Sequence, residues 1–182
     1  MANFDLSVDK TLKFEGGYVN NPNDSGGETN FGISKRFHPN VDIAGLDVDG
    51  AKDIYKSEYW NAINGDLIQS QKVADSVFDM AVMSGAKRAL SLAKDVCALM
   101  GVHDINHVGE WNEAAFVHAY GLARIKFFND LVLKKPSQKE FINGWISRAK
   151  SFFRFAPAGA AVAGVAILAT LIFLRTRKKV GQ

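Results

Sequence analysis

Apolar residues at Phe4, Val8 and Leu12 recur every four positions, with Leu6 and Phe14 beside them, which predicts a helix over about 3–14. Gly16-Gly17 ends it, because glycine enters the left-handed conformation at a helix terminus without penalty. The stretch Asn20-Asn21-Pro22-Asn23-Asp24-Ser25-Gly26-Gly27 comes next, and at that density Asn, Pro, Asp and Gly force tight turns. Val19 and Phe31-Gly32-Ile33 can flank these turns as a short two-stranded ribbon. From Asp47 onward the pattern is helical almost throughout. Asp47 or Asp49 suits the N-cap of a helix carrying Ala51, Ile54, Tyr55 and Tyr59. Further helices are predicted over 73–84, 87–100, 112–133 and 138–155, separated at Asn64-Gly65, Gly85, Gly101 and Lys135-Pro136. The class is mostly α with one small β ribbon.

With 182 residues, four prolines and 47% hydrophobic content, the chain forms one compact domain or two small ones. Its single cysteine, Cys97, lies on an apolar helical stretch, so no disulfide framework exists and a buried thiol is expected. Met1 to Lys13 alternates charged and apolar residues, and no apolar signal peptide is read there. Nothing in the chain implies a cofactor or a nucleic-acid partner.

The chemistry concentrates in Glu15-Gly16-Gly17-Tyr18 and the residues just after it: Asp24 nine positions beyond Glu15, Gly26-Gly27, Thr29 fourteen positions beyond it, and Phe31-Gly32. Glu15 is placed at the negative end of the first helix, which disfavours its ionised form, as does partial burial beside Phe14 and Tyr18. A carboxylic acid kept protonated is what protonation of a glycosidic leaving oxygen requires. The segment resembles the signature of the glycoside hydrolase family 108 lysozymes, N-acetylmuramidases common in phages and prophages, whose catalytic glutamate lies in an E-G-G-Y motif. The resemblance implies Glu15 as general acid, Asp24 as the group that positions water or stabilises the transition state, and Thr29 as a holder of that water. Asp24 is otherwise a turn-capping residue and Thr29 a strand hydroxyl, and Glu28 is a further candidate for the second carboxylate.

The resemblance continues through Ile54-Tyr55 and Tyr59-Trp60, then Phe78-Asp79-x-Ala81-Val82-x-Ser84-Gly85, where Met83 replaces the asparagine usual before Ser-Gly. Tyr55 is expected in the core; Tyr18, Tyr59, Trp60 and Asp79 are the expected glycan contacts. Residues from about 87 to 155 resemble the peptidoglycan-binding region that comes next in the family, most clearly in Asn143-Gly144-Trp145-x-x-Arg148. Its middle departs from the pattern, with His103-Asp104-Ile105-Asn106-His107-Val108-Gly109 where a D-G-x-x-G-P loop is usual. His103 and His107, with Glu110 nearby, read as surface histidines rather than a metal site.

Ala156 to Leu174 holds no charged residue and is succeeded by Arg175, Arg177, Lys178 and Lys179, which reads as a transmembrane helix of about 28 Å. Ala156, Ala160 and Gly164 form a small-xxx-small stripe that permits close helix pairing. Basic residues flank the span equally, so charge does not orient it. The net charge of +3 is mild, much of it from those last eight residues, and suits work beside anionic wall polymers or lipids.

These readings give a lysozyme-like α+β fold with a C-terminal transmembrane helix. The divisions are a catalytic region over 1–85, a helical peptidoglycan-binding-like region over 86–155, the span over 156–174 and a basic tail over 175–182. The implied function is an N-acetylmuramidase cleaving the MurNAc-β-1,4-GlcNAc bond for host lysis. Peptidoglycan, the bacterial membrane and a holin are its expected partners, and the inner membrane, with the catalytic domain toward the wall, its expected location. A lytic transglycosylase and an idle membrane-anchored wall-binding protein are the alternatives.

Overall fold

The computed structural model describes residues 1–20 and 27–153. The order is α1 (Phe4–Leu12), β1 (Thr29–Asn30), β2 (Ile33–Ser34), α2 (Val48–Tyr55), α3 (Gln71–Ser84), α4 (Ala86–Met100), α5 (Glu110–Lys134) and α6 (Ile142–Ser151). The mostly helical class with a small antiparallel ribbon therefore holds.

Capping fixes the helix starts. Asn3 accepts from the amides of Asp5 and Leu6 to open α1, Asp47 from Gly50 to open α2, and Ser70 from Val73 to open α3. Gly101, at φ +67, ends α4 in the left-handed conformation. After Tyr55 the helix widens into a π turn over Lys56–Trp60 and then tightens into short 3-10 turns. The last predicted helix begins later than its sequence pattern, because Pro136 opens a 3-10 turn over Pro136–Phe141 before α6.

α3 is the centre of the fold. Every residue from Val73 to Ala81 on it is buried, and it packs against α1, α4 and α5. One apolar core runs from Val8 and Ile33 through Trp60 and Phe78 to Phe116, Tyr120 and Ala149. Phe4, Trp60 and Phe78 meet edge to face with centroids 5.6 to 5.9 Å apart. Burying a side chain such as Phe78 stabilises by about 1.5–3 kcal/mol. Cys97 lies in the same core, and burial pushes its thiol up to about 11.

Hydrophobic periodicity describes only half of the buried side of α1. Ser7 and Thr11 are fully buried along with Val8. They face two carboxylates with the same four-residue spacing on α3: Ser7 Oγ donates to Asp75 at 2.7 Å and Thr11 Oγ1 to Asp79 at 3.4 Å. Lys10 pairs with Asp75, and Gln71 bonds both the amide and the carbonyl of Asn3. The α1–α3 interface is thus a polar ladder, admissible inside a protein because each rung is hydrogen-bonded.

The second half of the chain is tied to the first by charge as well as by core. Glu113 of α5 accepts from Ser70 at 2.5 Å and from Lys72 at 2.7 Å. Burial pushes the Glu113 carboxyl up, but the Lys72 and Ser70 contacts outweigh it and hold its pKa below the ordinary value. A carboxyl depressed in the folded state stabilises above its unfolded pKa, and this contribution is lost as pH falls through the folded value. Glu113→Gln is therefore expected to lower the melting temperature at neutral pH, with the deficit shrinking in acid. Melting curves of both proteins across that range check it, and a pH-independent deficit would contradict it.

The membrane readings need correction. Residues 156–174 lie outside the described residues, and among the described residues no helix is long and apolar enough to cross a membrane. Although α5 spans 25 residues, charged groups recur along it, including Arg124, Lys126 and Asp130. The fold class therefore loses its transmembrane helix, and the expected membrane partner, holin and inner-membrane location have no described element to rest on.

Candidate active site

The ribbon pairs Thr29 with Ser34 and Asn30 with Ile33, and Phe31-Gly32 is its two-residue turn rather than part of a strand. Phe31 at φ 50 and Gly32 at φ 75 are both left-handed, the requirement of the type I′ turn that suits strand twist. A non-glycine residue in that region needs support, and Tyr55 Oη supplies it by donating to the Phe31 carbonyl at 2.8 Å. Asn30 anchors the ribbon through bonds to the carbonyls of Ile43 and Leu46, and Val19 bridges Thr29 through two 2.8 Å bonds.

This turn sits on Glu15. A Cβ at Gly32 would lie 2.5 Å from Glu15 Oε2 and 2.9 Å from Tyr55 Oη, so only glycine lets the turn approach this closely. On the other carboxylate oxygen, Arg148 Nη1 of α6 donates to Oε1 at 2.8 Å. Glu15 is 17% exposed and Arg148 12% exposed, so the pair is reachable from solvent yet mostly enclosed. Arg148 Nε donates to Asp79 Oδ1 at 2.9 Å, and Nη2 lies 2.8 Å from the same oxygen. Arg124 of α5 closes the far side through Nη2 to Asp79 Oδ2 and Nη1 to the Ser76 carbonyl at 3.3 Å. Glu15, Arg148, Asp79 and Arg124 thus alternate along one network, carboxyl, guanidinium, carboxyl, guanidinium.

Electrostatics reflect this geometry. Burial opposes the Arg148 charge, but the Asp79 and Glu15 carboxylates more than offset it and raise its pKa. Burial, then the Glu15 charge, raises the Tyr55 phenol, while burial, then Glu58 and Glu15, raises Tyr59. Both tyrosines therefore stay neutral hydroxyl groups beside the acid.

The expected site residues fall in different places. Tyr18 is 47% exposed and donates to Glu28 Oε1 at 2.9 Å, a bond that raises its own pKa. Thr29 is half-buried on β1, its hydroxyl 3.5 Å from the Gly27 carbonyl. Tyr59 is half-buried, its ring centroid 5.7 Å from that of Tyr55. Asp24 lies outside the described residues. Trp60 and Asp79 have no exposed surface, so a glycan does not reach them in this structure. The Trp60 indole donates to Asp66 at 2.9 Å beneath the backbone of Gly65, where a Cβ would come within 2.3 Å of the ring. Asp79 is engaged by the two arginines. Met83 touches the same network, its sulfur 3.4 Å from Arg124 Nη2.

His103 and His107 converge away from this site. Their Nδ1 atoms lie 3.0 and 2.8 Å from the two oxygens of Asp104, at an exposed 3-10 turn after α4. The His107 contact, joined by that of His103, holds the Asp104 carboxyl at about 2.

Sequence reasoning reached Glu15 but missed Arg148 and Arg124. Arg148 carried a signal as the last residue of Asn143-Gly144-Trp145-x-x-Arg148, assigned to wall binding. Arg124 stands among the apolar residues of α5, and a charged residue in such a setting is a cue to a buried pair.

Residues 8–85 match the family described as Glycosyl hydrolase 108, and residues 95–150 match Predicted Peptidoglycan domain. No curated protein matches the chain. Among solved structures, the Brucella abortus SagA structure is similar at 26% identity, covering 84% of this chain and 97% of that one, with a TM-score of 0.53. The chain has a glycosyl hydrolase 108-like region and, after it, one similar to a peptidoglycan domain, the make-up of a peptidoglycan-hydrolase-like enzyme.

Proposed function

We propose that the protein is an N-acetylmuramidase that cleaves the MurNAc-β-1,4-GlcNAc bond of peptidoglycan, with Glu15 as general acid and phage- or prophage-driven lysis as its setting. The observation that carries this reading is a single carboxyl group, enclosed yet reachable, clasped between a left-handed glycine turn and a half-buried guanidinium. In the step, Glu15 gives its proton to the glycosidic oxygen as the C1–O bond breaks, and water adds at C1 and returns a proton. Asp24 positions that water or stabilises the positive charge at C1, and Thr29 helps hold the water, as the family resemblance implies. Tyr18 and Tyr59 offer aromatic faces to the sugar rings. Residues 1–85 carry the chemistry in this reading, and the region from 86 onward supports binding to the wall.

Mass analysis of fragments released from purified peptidoglycan tests the bond and the reaction together. Fragments with MurNAc at a free reducing end are the expected result. Anhydro products, lighter by one water, would instead identify a lytic transglycosylase, and GlcNAc at the reducing end would identify cleavage of the other linkage.

A further inference from the structure

Arg148 stands on α6, in the stretch similar to the peptidoglycan domain, yet its guanidinium contacts residues of the first 85. It meets Glu15 and Asp79 through hydrogen bonds, and its carbon lies 5.0 Å from the centroid of the Phe14 ring. These three contacts fix the plane of the group as well as its position. Asp79 cannot drift with it, because Arg124 of α5 holds its other oxygen. Glu15 itself lies beyond the end of α1 and beside Gly16-Gly17, where the backbone offers little restraint to a flexible side chain. What orients its carboxyl is a clasp: Gly32 against Oε2 and Arg148 on Oε1.

We propose that Arg148 is a positioning residue of the active site, so that α6 belongs to the catalytic unit and is not a separable wall-binding module. The proposal rests on Glu15 being the proton donor. Proton transfer needs the donor within hydrogen-bond reach of the glycosidic oxygen, and a misplacement of about 1 Å at such a group costs about 10²-fold in rate. Arg148 reaches the reaction only through Glu15.

The test uses the full chain as Arg148→Gln, Arg148→Lys and Glu15→Gln. It measures kcat and KM on purified peptidoglycan, cosedimentation with it, and melting temperature. For folded Arg148→Gln, kcat is expected to fall about 10²-fold with KM and cosedimentation within about twofold of wild type. Arg148→Lys is expected to recover part of the loss, because one ammonium keeps the charge but does not span both carboxylates as the planar fork does. Should Arg148→Gln fail to fold, Arg148→Lys carries the test alone, and a lowered kcat at unchanged KM supports the proposal. A wild-type kcat in whichever variant folds overturns it. Lost cosedimentation and raised KM with kcat preserved also overturns it, by making Arg148 a wall-binding residue. If Glu15→Gln is inactive while Arg148→Gln is fully active, only this inference falls. If Glu15→Gln is itself active, the assignment of the acid falls first.

Discussion

Glu15→Gln is expected to lower kcat on purified peptidoglycan by about 10²–10⁴-fold while the protein stays folded. Glutamine keeps the length and one oxygen of the side chain, so it still accepts the bond from Arg148 Nη1 and still fits under the Gly32 turn. It has no proton to give to a leaving oxygen. The loss therefore appears in kcat rather than in KM, the signature of an interaction that matters only in the transition state. Clearing of a peptidoglycan suspension gives the rate, and a melting curve shows that the fold survives. A folded Glu15→Gln protein that clears the suspension at near wild-type rate would remove Glu15 from the mechanism.

The largest effect on stability is expected two steps from Glu15 along the same network. Asp79 is fully buried and is the shared partner of Arg124, also fully buried, and Arg148. Asp79→Asn keeps the shape but leaves two guanidiniums facing each other without their common counter-charge. Breaking a buried pair by removing one member costs about 3–5 kcal/mol, because the remaining charge is stranded away from water. For a chain of this size that lowers the melting temperature by roughly 6–20 °C. Asp130→Asn offers the contrast: its pair with Lys126 is partly exposed at 47%, and exposed helix pairs contribute about 0.3–0.5 kcal/mol. A difference between the two variants of under about 2 °C would mean that water or rearrangement relieves the buried charge.

What the sequence made legible had a short range. The start of α2, the break at Gly85 and the stop at Gly101 are local events, set by a cap and by glycines within a few residues. Glu15 was legible for the same reason, since its glycine-rich neighbourhood is contiguous. The ladder of Ser7 and Thr11 against Asp75 and Asp79 was not, because polar residues on a helix read as a solvated face until their partners are known. Trp60 shows the opposite failure. An aromatic residue beside a tyrosine on a helical stretch suits a sugar platform and a core equally, and the Gly65 backbone over the indole decides for the core. Arg148 lay within a recognisable motif, but nothing in its local pattern shows that its partners are on α3 and at the end of α1.

The bond between Glu15 and Arg148 joins positions 133 apart, which bears on when during synthesis the protein acquires its full site. At elongation speeds of about 5–20 residues per second, α1 leaves the ribosome roughly 10 s before α6 does. In that interval a nascent chain carries Glu15 and gains the ribbon and α3, but not the cation that completes the clasp. Fragments released early, or chains clipped ahead of α6, are in the same condition. The order of the helices along the chain thus acts as a timer that leaves the acid without its clasp until α6 has been made.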